Sequence, residues 1–272
     1  MADDGIITSP ANPFVKRLRK LRQRKHRERE GAFLVEGIAQ VWRAVEHRAD
    51  IEALVVAPEL LTSDRALALA DRERASGTRV VLVSRDLFED TTEREHPSGL
   101  AAVVRIHERT LAEMQISPNS VFVMLDEVGN PGNLGSIIRS ADASGAGGVI
   151  VAGASTDLHH PSSVKASMGA LFTVPVCRAA SVEDGLQWAQ GAGLHVVTTS
   201  ARAGSLFWEA IYELPLLLVF GSEATGLSPE VVARGSASVR IPMDGTVSSL
   251  NLAVSVGLML YEVKRQLGAG AA

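Results

Sequence analysis

"DEVGNPGNLGSIIRSADASGAGG", residues 126–148, decides how the fold is read. It follows the apolar run "VFVMLD" and leads into a second one, "GVIVAG". That order predicts a strand, a glycine-bearing turn, a helix and another strand. In the helix, Leu134, Ile137, Ile138 and Ala141 recur at helical spacing and are expected to face a core. Asn133 then falls at the helix start, and Arg139 falls about two turns inside, at the boundary of the apolar stripe. The turn matches neither common phosphate cradle. Gly129, Gly132 and Gly135 are three residues apart, not spaced as G-x-G-x-x-G, and no lysine follows as a Walker loop requires. "GAGG" at 145–148 lacks the third glycine. A nicotinamide-dependent oxidoreductase is therefore disfavoured.

Outward from this unit, continuous apolar runs at 121–125, 148–151, 195–199, 216–220 and 238–241 read as strands of a parallel sheet covered on both faces. Nearer the start, "AFLVEG", "IEALVVA", "TRVVLVS" and "GLAAVVR" alternate with helical stretches at 37–48 and 64–75. They predict a smaller α/β unit. The expected division is a basic helical extension at 1–30, a first α/β domain at 31–106, a polar linker at 107–119 and a second α/β domain at 120–272. The last helix, expected over 249–266, carries two apolar stripes. Leu250, Ala253, Val254, Gly257, Leu258 and Tyr261 form one; Leu252, Val256, Met259, Leu260 and Val263 form the other. A helix apolar on both sides is buried on both, and in a domain of this size one side is expected to meet a second copy in a homodimer.

The charge distribution points to a partner. The chain has a net charge of −4, yet residues 14–30, "FVKRLRKLRQRKHRERE", hold nine Lys or Arg against two Glu. Phe14, Leu18 and Leu21 recur at i, i+4, i+7, so the segment reads as an amphipathic helix. Its cations Lys16, Arg17, Arg19, Lys20, Arg22, Arg24, Lys25 and Arg27 are candidate RNA contacts. Phe14, Phe33 and Trp42 are expected in the core, not as base-stacking platforms. A single cysteine, Cys177, rules out an internal disulfide and a CxxC metal pair. The "HH" at 159–160 has neither a Cys partner nor an HExxH pattern, so no metal is expected. The absence of a hydrophobic leader or a membrane-length apolar run leaves a cytoplasmic location, with no membrane partner, as the expectation.

Two later segments end strands in polar loops. "LLLVFGSEATGLS", 216–228, carries Gly221, Ser222 and Glu223; "IPMDGTVSSLNLAVSVGLMLYE", 241–262, carries Ser249 and Asn251 at the N-terminus of the last helix, where Ser and Asn also serve as caps. Ligands of open α/β sheets gather beyond the carboxyl ends of strands. Together with "NPGNLGSIIRSADASGA", these segments resemble, in order, the three motifs of the SpoU (TrmH-like) RNA 2′-O-ribose methyltransferases of the SPOUT superfamily. "KASMGALFTVPV" at 165–176 is similar to the family's "SxGAxxxxPV" segment. "SPANPFVKRLRKLRQRKHREREGAFLVEG" resembles the start of members with an N-terminal substrate-binding domain.

The resemblance implies a catalytic α/β domain with a deep trefoil knot beside a smaller ribosomal-protein-like α/β domain. It implies S-adenosylmethionine as cofactor, held near Thr199, Phe220, Gly221, Ile241, Met243 and Leu250. It places Arg139, Asn133, Glu223, Ser249 and Asn251 at the catalytic centre. The reaction implied is methylation of a ribose 2′-hydroxyl, with Arg139 as base or, because a guanidinium stays protonated, as a stabiliser of the developing alkoxide. Ribosomal RNA, specifically 23S, is the expected substrate, and some relatives of this build confer resistance to ribosome-targeting antibiotics. Transfer RNA as substrate, and a non-catalytic RNA-binding protein of the same fold, are the alternatives.

Overall fold

The computed structural model describes residues 5–92 and 96–269. The chain forms two compact units, one of residues up to 107 plus 159–173, the other of residues 108–158 and from 174 onward.

In the first unit, helices α1 (Pro13–Leu21) and α2 (Arg24–Glu30) precede β1 (Ala32–Glu36), α3 (Ile38–Glu46), β2 (Ile51–Val56), α4 (Asp64–Ala75), β3 (Arg79–Leu82), α5 (Arg85–Thr91) and β4 (Leu100–Arg105). The sheet order is β1-β4-β2-β3. The β2–β3 pair is parallel and the pairs made by β4 are antiparallel. Alternate side chains of a strand point to opposite faces, and both faces here are covered. Leu34, Val55 and Val103 face α1 and α5, where Phe14, Val15, Leu18 and Leu21 are buried. Phe33, Val35, Leu54 and Ala102 face the other way, toward a core that includes Val164, Leu171 and Phe172.

Two features differ from the linear division expected above. The basic N-terminal stretch is part of the first core, and Ile7 bridges β3's end by accepting from Ser84 N–H and donating to Leu82 C=O, each at 2.9 Å. Helix α7 (Pro161–Ser167) lies late in the sequence but belongs to this unit. There the ring of Phe33 meets His159 at 4.5 Å and stacks on Phe172 at 6.4 Å. Neither assignment is visible to a boundary drawn from composition, because both depend on where distant residues meet.

The second unit contains β5 (Val121–Asp126), α6 (Pro131–Ser144), β6 (Gly148–Ala152), β7 (Val176–Ala179), α8 (Val182–Gly191), β8 (His195–Thr199), β9 (Ser205–Leu206), β10 (Leu216–Phe220), α9 (Pro229–Ala233), β11 (Ala237–Arg240) and α10 (Leu252–Ala269). Its seven strands run in the order β7-β6-β5-β10-β8-β11-β9 and every pair is parallel. From β5 the chain winds outward through β6 and β7, then crosses back to β8. The winding direction therefore changes between β5 and β10, and all the carboxyl ends lie on one edge. The stretch read as a linker is also part of this core: Met114 is buried, and a Cβ on Gly148 would lie 2.3 Å from its Cε.

Candidate active site

The change of winding direction between β5 and β10 is where an open α/β sheet forms a crevice at its carboxyl edge. Helix α6 begins there. Asn130 caps it, its Oδ1 accepting from Gly132 N–H at 2.8 Å and Asn133 N–H at 3.1 Å. Pro131 follows at the first helical position, where a missing N–H costs nothing. Leu134, Ile137, Ile138 and Ala141 are fully buried, as the periodicity predicts. Gly145, in the left-handed region at φ 76°, ends the helix.

Beyond β10 the chain makes a tight turn. Gly226 N–H donates to Ser222 C=O at 3.0 Å, closing it. Gly221 has no alternative residue at this point, because a Cβ there would sit 2.1 Å from the Gly226 carbonyl carbon. The turn aims Glu223 at α6. Its Oε1 accepts from Asn133 Nδ2 at 2.8 Å and its Oε2 from Gly129 N–H at 3.3 Å. Asn251 completes the group by donating from Nδ2 to Asn133 Oδ1 at 2.9 Å. It also caps α10, its Oδ1 accepting from Ala253 N–H at 2.9 Å. That cap starts the helix at Leu252, three residues later than periodicity alone suggests. Loops after β5, β10 and β11 thus meet through Asn133, Glu223 and Asn251.

Arg139 and Ser249 sit differently. Arg139 is exposed on α6, and among the described residues no hydrogen bond or ion pair engages its guanidinium. Ser249 is exposed in the irregular segment before α10. Six residues at about 100° each put Arg139 about 120° around the helix from Asn133, so the two leave α6 on different sides. The cation is held by the rigid helix and left free for an anion.

Of the residues that the resemblance assigns to a cofactor, Thr199 and Phe220 end strands β8 and β10, and Gly221 and Ile241 directly follow β10 and β11. Thr199 ends β8 and donates from Oγ1 to Val219 C=O at 3.0 Å, tying β8 to β10. Phe220 is buried at the end of β10, and Gly221 follows. Ile241 and Met243 are half-buried and Leu250 is exposed; they belong to the stretch 241–251, which forms neither helix nor strand. Its backbone polar groups are therefore not consumed by a regular element. Asp126, half-buried at the end of β5, has its carboxyl pushed above the usual range by burial and then by Glu127 and Glu183.

α10 presents its two stripes unequally. Leu252, Val256, Met259, Leu260 and Val263 are buried, whereas Val254, Leu258 and Tyr261 are 50%, 40% and 52% exposed, and Leu250, just before the helix, is exposed too. The exposed row adjoins Asn133, Ser136, Ser140 and Asn251 in an open groove.

The basic segment needs correction residue by residue. Arg27 is 2% exposed, and its Nη1 donates to the carbonyls of Leu21 at 2.8 Å and Arg22 at 2.7 Å, closing the end of α1. It is a structural residue and not a surface contact. Arg17 is engaged by Glu30 and Glu52, and Arg19 by Asp90. Arg24 pairs with Glu28. Lys16, Lys20, Arg22, Arg24 and Lys25 keep exposed side chains. Charge counting treats all eight cations alike, but packing does not. Phe14 and Phe33 are buried and Trp42 packs partly into the core, as expected. His159 packs on Phe33 and His160 caps α7 through Nδ1.

The site also contains residues that the sequence reading passed over. Asn130 carries the readable sign, an Asn-Pro pair ahead of an apolar stripe. Ser155 lies in the loop after β6 and carries no such sign.

Among the described residues no helix is long and apolar enough to cross a membrane, and no group of three His, Cys, Asp or Glu is placed to hold a metal ion. Comparison with known proteins agrees with this geometry. Residues 12–102 match the MRM3-like substrate binding domain. The chain is 35% identical over 268 residues to a 23S rRNA (uridine(2479)-2′-O)-methyltransferase of Streptomyces viridochromogenes, covering 96% of this chain and 92% of that one. A crystal structure of an AdoMet-bound rRNA methyltransferase from Sinorhizobium meliloti superposes with a TM-score of 0.88 at 34% identity, over 96% of this chain and 97% of that one. The SpoU methyltransferase AviRb of Streptomyces viridochromogenes, in complex with AdoMet, gives 0.84 at 34% identity, over 95% and 100%. Residues 120–261, which carry the converging loops, match the SpoU rRNA methylase family, and the chain belongs to that family.

Proposed function

We propose that this protein transfers a methyl group from S-adenosylmethionine to a ribose 2′-hydroxyl of ribosomal RNA, 23S rRNA being the class its relatives name. The observation that carries the reading is the meeting of three strand-end loops through Asn133, Glu223 and Asn251, on the helix that also holds an unpaired Arg139. S-adenosylmethionine, when bound, supplies a methyl already activated by its sulfonium. Phe220, Gly221, Ile241, Met243, Leu250 and Thr199 would hold it, by apolar contact and by the open backbone of 241–251.

What remains for the chain is alignment and charge. Asn133 is fixed from both sides, so α6 cannot rotate without breaking a hydrogen bond. Arg139 would grip the phosphate next to the acceptor and stabilise the oxygen as its proton leaves. Ser249 would contact the substrate or the donor from the loop before α10. Lys16, Lys20, Arg22, Arg24 and Lys25 would bind the RNA backbone.

The exposed row of α10 supports a homodimer, because a second copy would cover Val254, Leu258 and Tyr261 next to the site. A trefoil knot is supported by topology. After β11 the chain returns past the edges of β8 and β10 to Asn251, beside a helix that follows β5. The cytoplasm, where ribosomes work, is the fitting location.

The test is incubation of labelled donor with total RNA. Transfer to ribosomal RNA by the wild type and none by Arg139→Ala is the expected result. Equal transfer by both would remove Arg139 from the site, and labelling confined to transfer RNA would change the substrate.

A further inference from the structure

The turn that carries Gly129 and Asn133 is held by more than the three converging motifs. Directly before it, Val128 N–H donates to Ser155 Oγ at 3.1 Å, and Ser155 Oγ donates in turn to Ala152 C=O at 2.6 Å. Thr156 N–H donates to Val128 C=O at 2.7 Å, so both polar groups of the Val128 peptide are taken by the loop after β6. Glu127, in the left-handed region at φ 53°, donates its N–H to Ala152 C=O at 3.2 Å. Arg178 braces the loop from the far side, its Nη2 donating to Thr156 C=O at 2.8 Å. Ser155 is 4% exposed and Val128 is fully buried, so water cannot replace the hydroxyl. The next amide along, Gly129 N–H, is the one that binds Glu223.

From this we infer that Ser155 is a positioning residue for methyl transfer: its hydroxyl fixes the 127–130 turn, and thereby the place of Asn133 and the start of α6. This rests on the active-site reading above. Ser155 touches neither donor nor acceptor in that reading; it acts through the backbone of Val128. A left-handed Glu127 is a strained conformation for a residue with a side chain, and such a conformation persists only where its neighbours hold it. Ser155 is the side-chain half of that hold.

The test compares Ser155→Ala and Ser155→Cys with wild type, with Asn133→Ala, and with Leu69→Ala, a core truncation in α4 of the other unit. The substrate is ribosomal RNA from cells lacking the protein. Single-turnover transfer is measured at saturating donor and RNA, together with the Kd of each and with hydrogen exchange of the 127–130 amides. Ser155→Ala is expected to slow transfer about tenfold, the scale of one unsatisfied buried amide. Both Kd values stay within about twofold and exchange at 127–130 speeds up. Ser155→Cys, whose thiol accepts poorly, falls between wild type and alanine, and remains the informative variant should alanine not fold. Leu69→Ala keeps its rate below its melting temperature.

A wild-type rate in the serine variants with a slow Asn133→Ala overturns the role of Ser155 alone. An equal slowing by Leu69→Ala also overturns it, since the effect would then be general loosening. A wild-type rate in Asn133→Ala overturns the active-site reading and the inference with it.

Discussion

Replacing Asn133 by alanine separates holding the fold from aligning the chemistry. The side chain makes two bonds that span the three loops, to Glu223 at 2.8 Å and from Asn251 at 2.9 Å. One is to a carboxylate and one to an amide; in a buried setting they would contribute about 1.5–3 and about 1 kcal/mol. Glu223 and Asn251 are both exposed in the single chain, so water replaces much of what is lost, and the expected stability cost is about 1 kcal/mol. For a unit of this size that lowers Tm by about 2–4 °C. The catalytic cost is of another order, because a reacting group displaced by about 1 Å loses about a hundredfold in rate. The assay is single-turnover transfer well below Tm, with donor affinity followed by calorimetry and Tm by differential scanning fluorimetry. A hundredfold slower transfer with a small change in Tm and in donor affinity is the expected pattern. A rate within twofold of wild type would refute the idea that this junction aligns the site.

Replacing Lys16, Lys20 and Lys25 by alanine should weaken RNA binding and flatten its dependence on salt by about two to three units of the log–log slope, read from binding isotherms at several ionic strengths. Arg27→Ala should instead lower the melting temperature by removing the buried guanidinium that closes α1, with the salt slope unchanged. Val254→Glu places a charge in the exposed row of α10 and should give a monomer by analytical ultracentrifugation, with no cost to the fold of the single chain. Glu52 is held below the usual carboxylate range, first by its hydrogen bonds from Arg17. Its stabilising contribution is present above the unfolded value of 4.5 and is lost as pH falls through the lower folded value. Glu52→Gln should therefore reduce Tm at pH 7, with a cost that shrinks as pH falls below 4.5.

The second unit was legible because its strands are apolar on both faces and its helices carry their own punctuation. Asn130-Pro131 opens α6, Gly145 closes it, and Leu134, Ile137, Ile138 and Ala141 face inward as their spacing requires. β7 and β9 were not read: one has four residues with Arg178 in the middle and the other has two, too short for any period to show. The sequence offers both Ser249 and Asn251 as caps of α10, and only the structure selects Asn251, which starts the helix at Leu252. The membership of 159–173 in the first unit, and of Met114 in the second core, depends on contacts between residues far apart in the chain, which no local pattern carries. The same holds for the site. Asn133, Glu223 and Asn251 are each ordinary in their own stretch, and the resemblance brought them together before geometry could. Arg27 shows the opposite failure. It looks like one more cation in a basic run, and only its burial reveals that it serves the fold.

The most direct test of the central claim is to map alkaline-resistant phosphodiester bonds in ribosomal RNA from cells with and without this protein. A 2′-O-methyl removes the hydroxyl that attacks the neighbouring phosphate, so one linkage in 23S rRNA should resist cleavage in the first sample and break in the second. Wild-type protein should restore the resistance and Arg139→Ala should not. Identical cleavage patterns in the two samples would contradict the account.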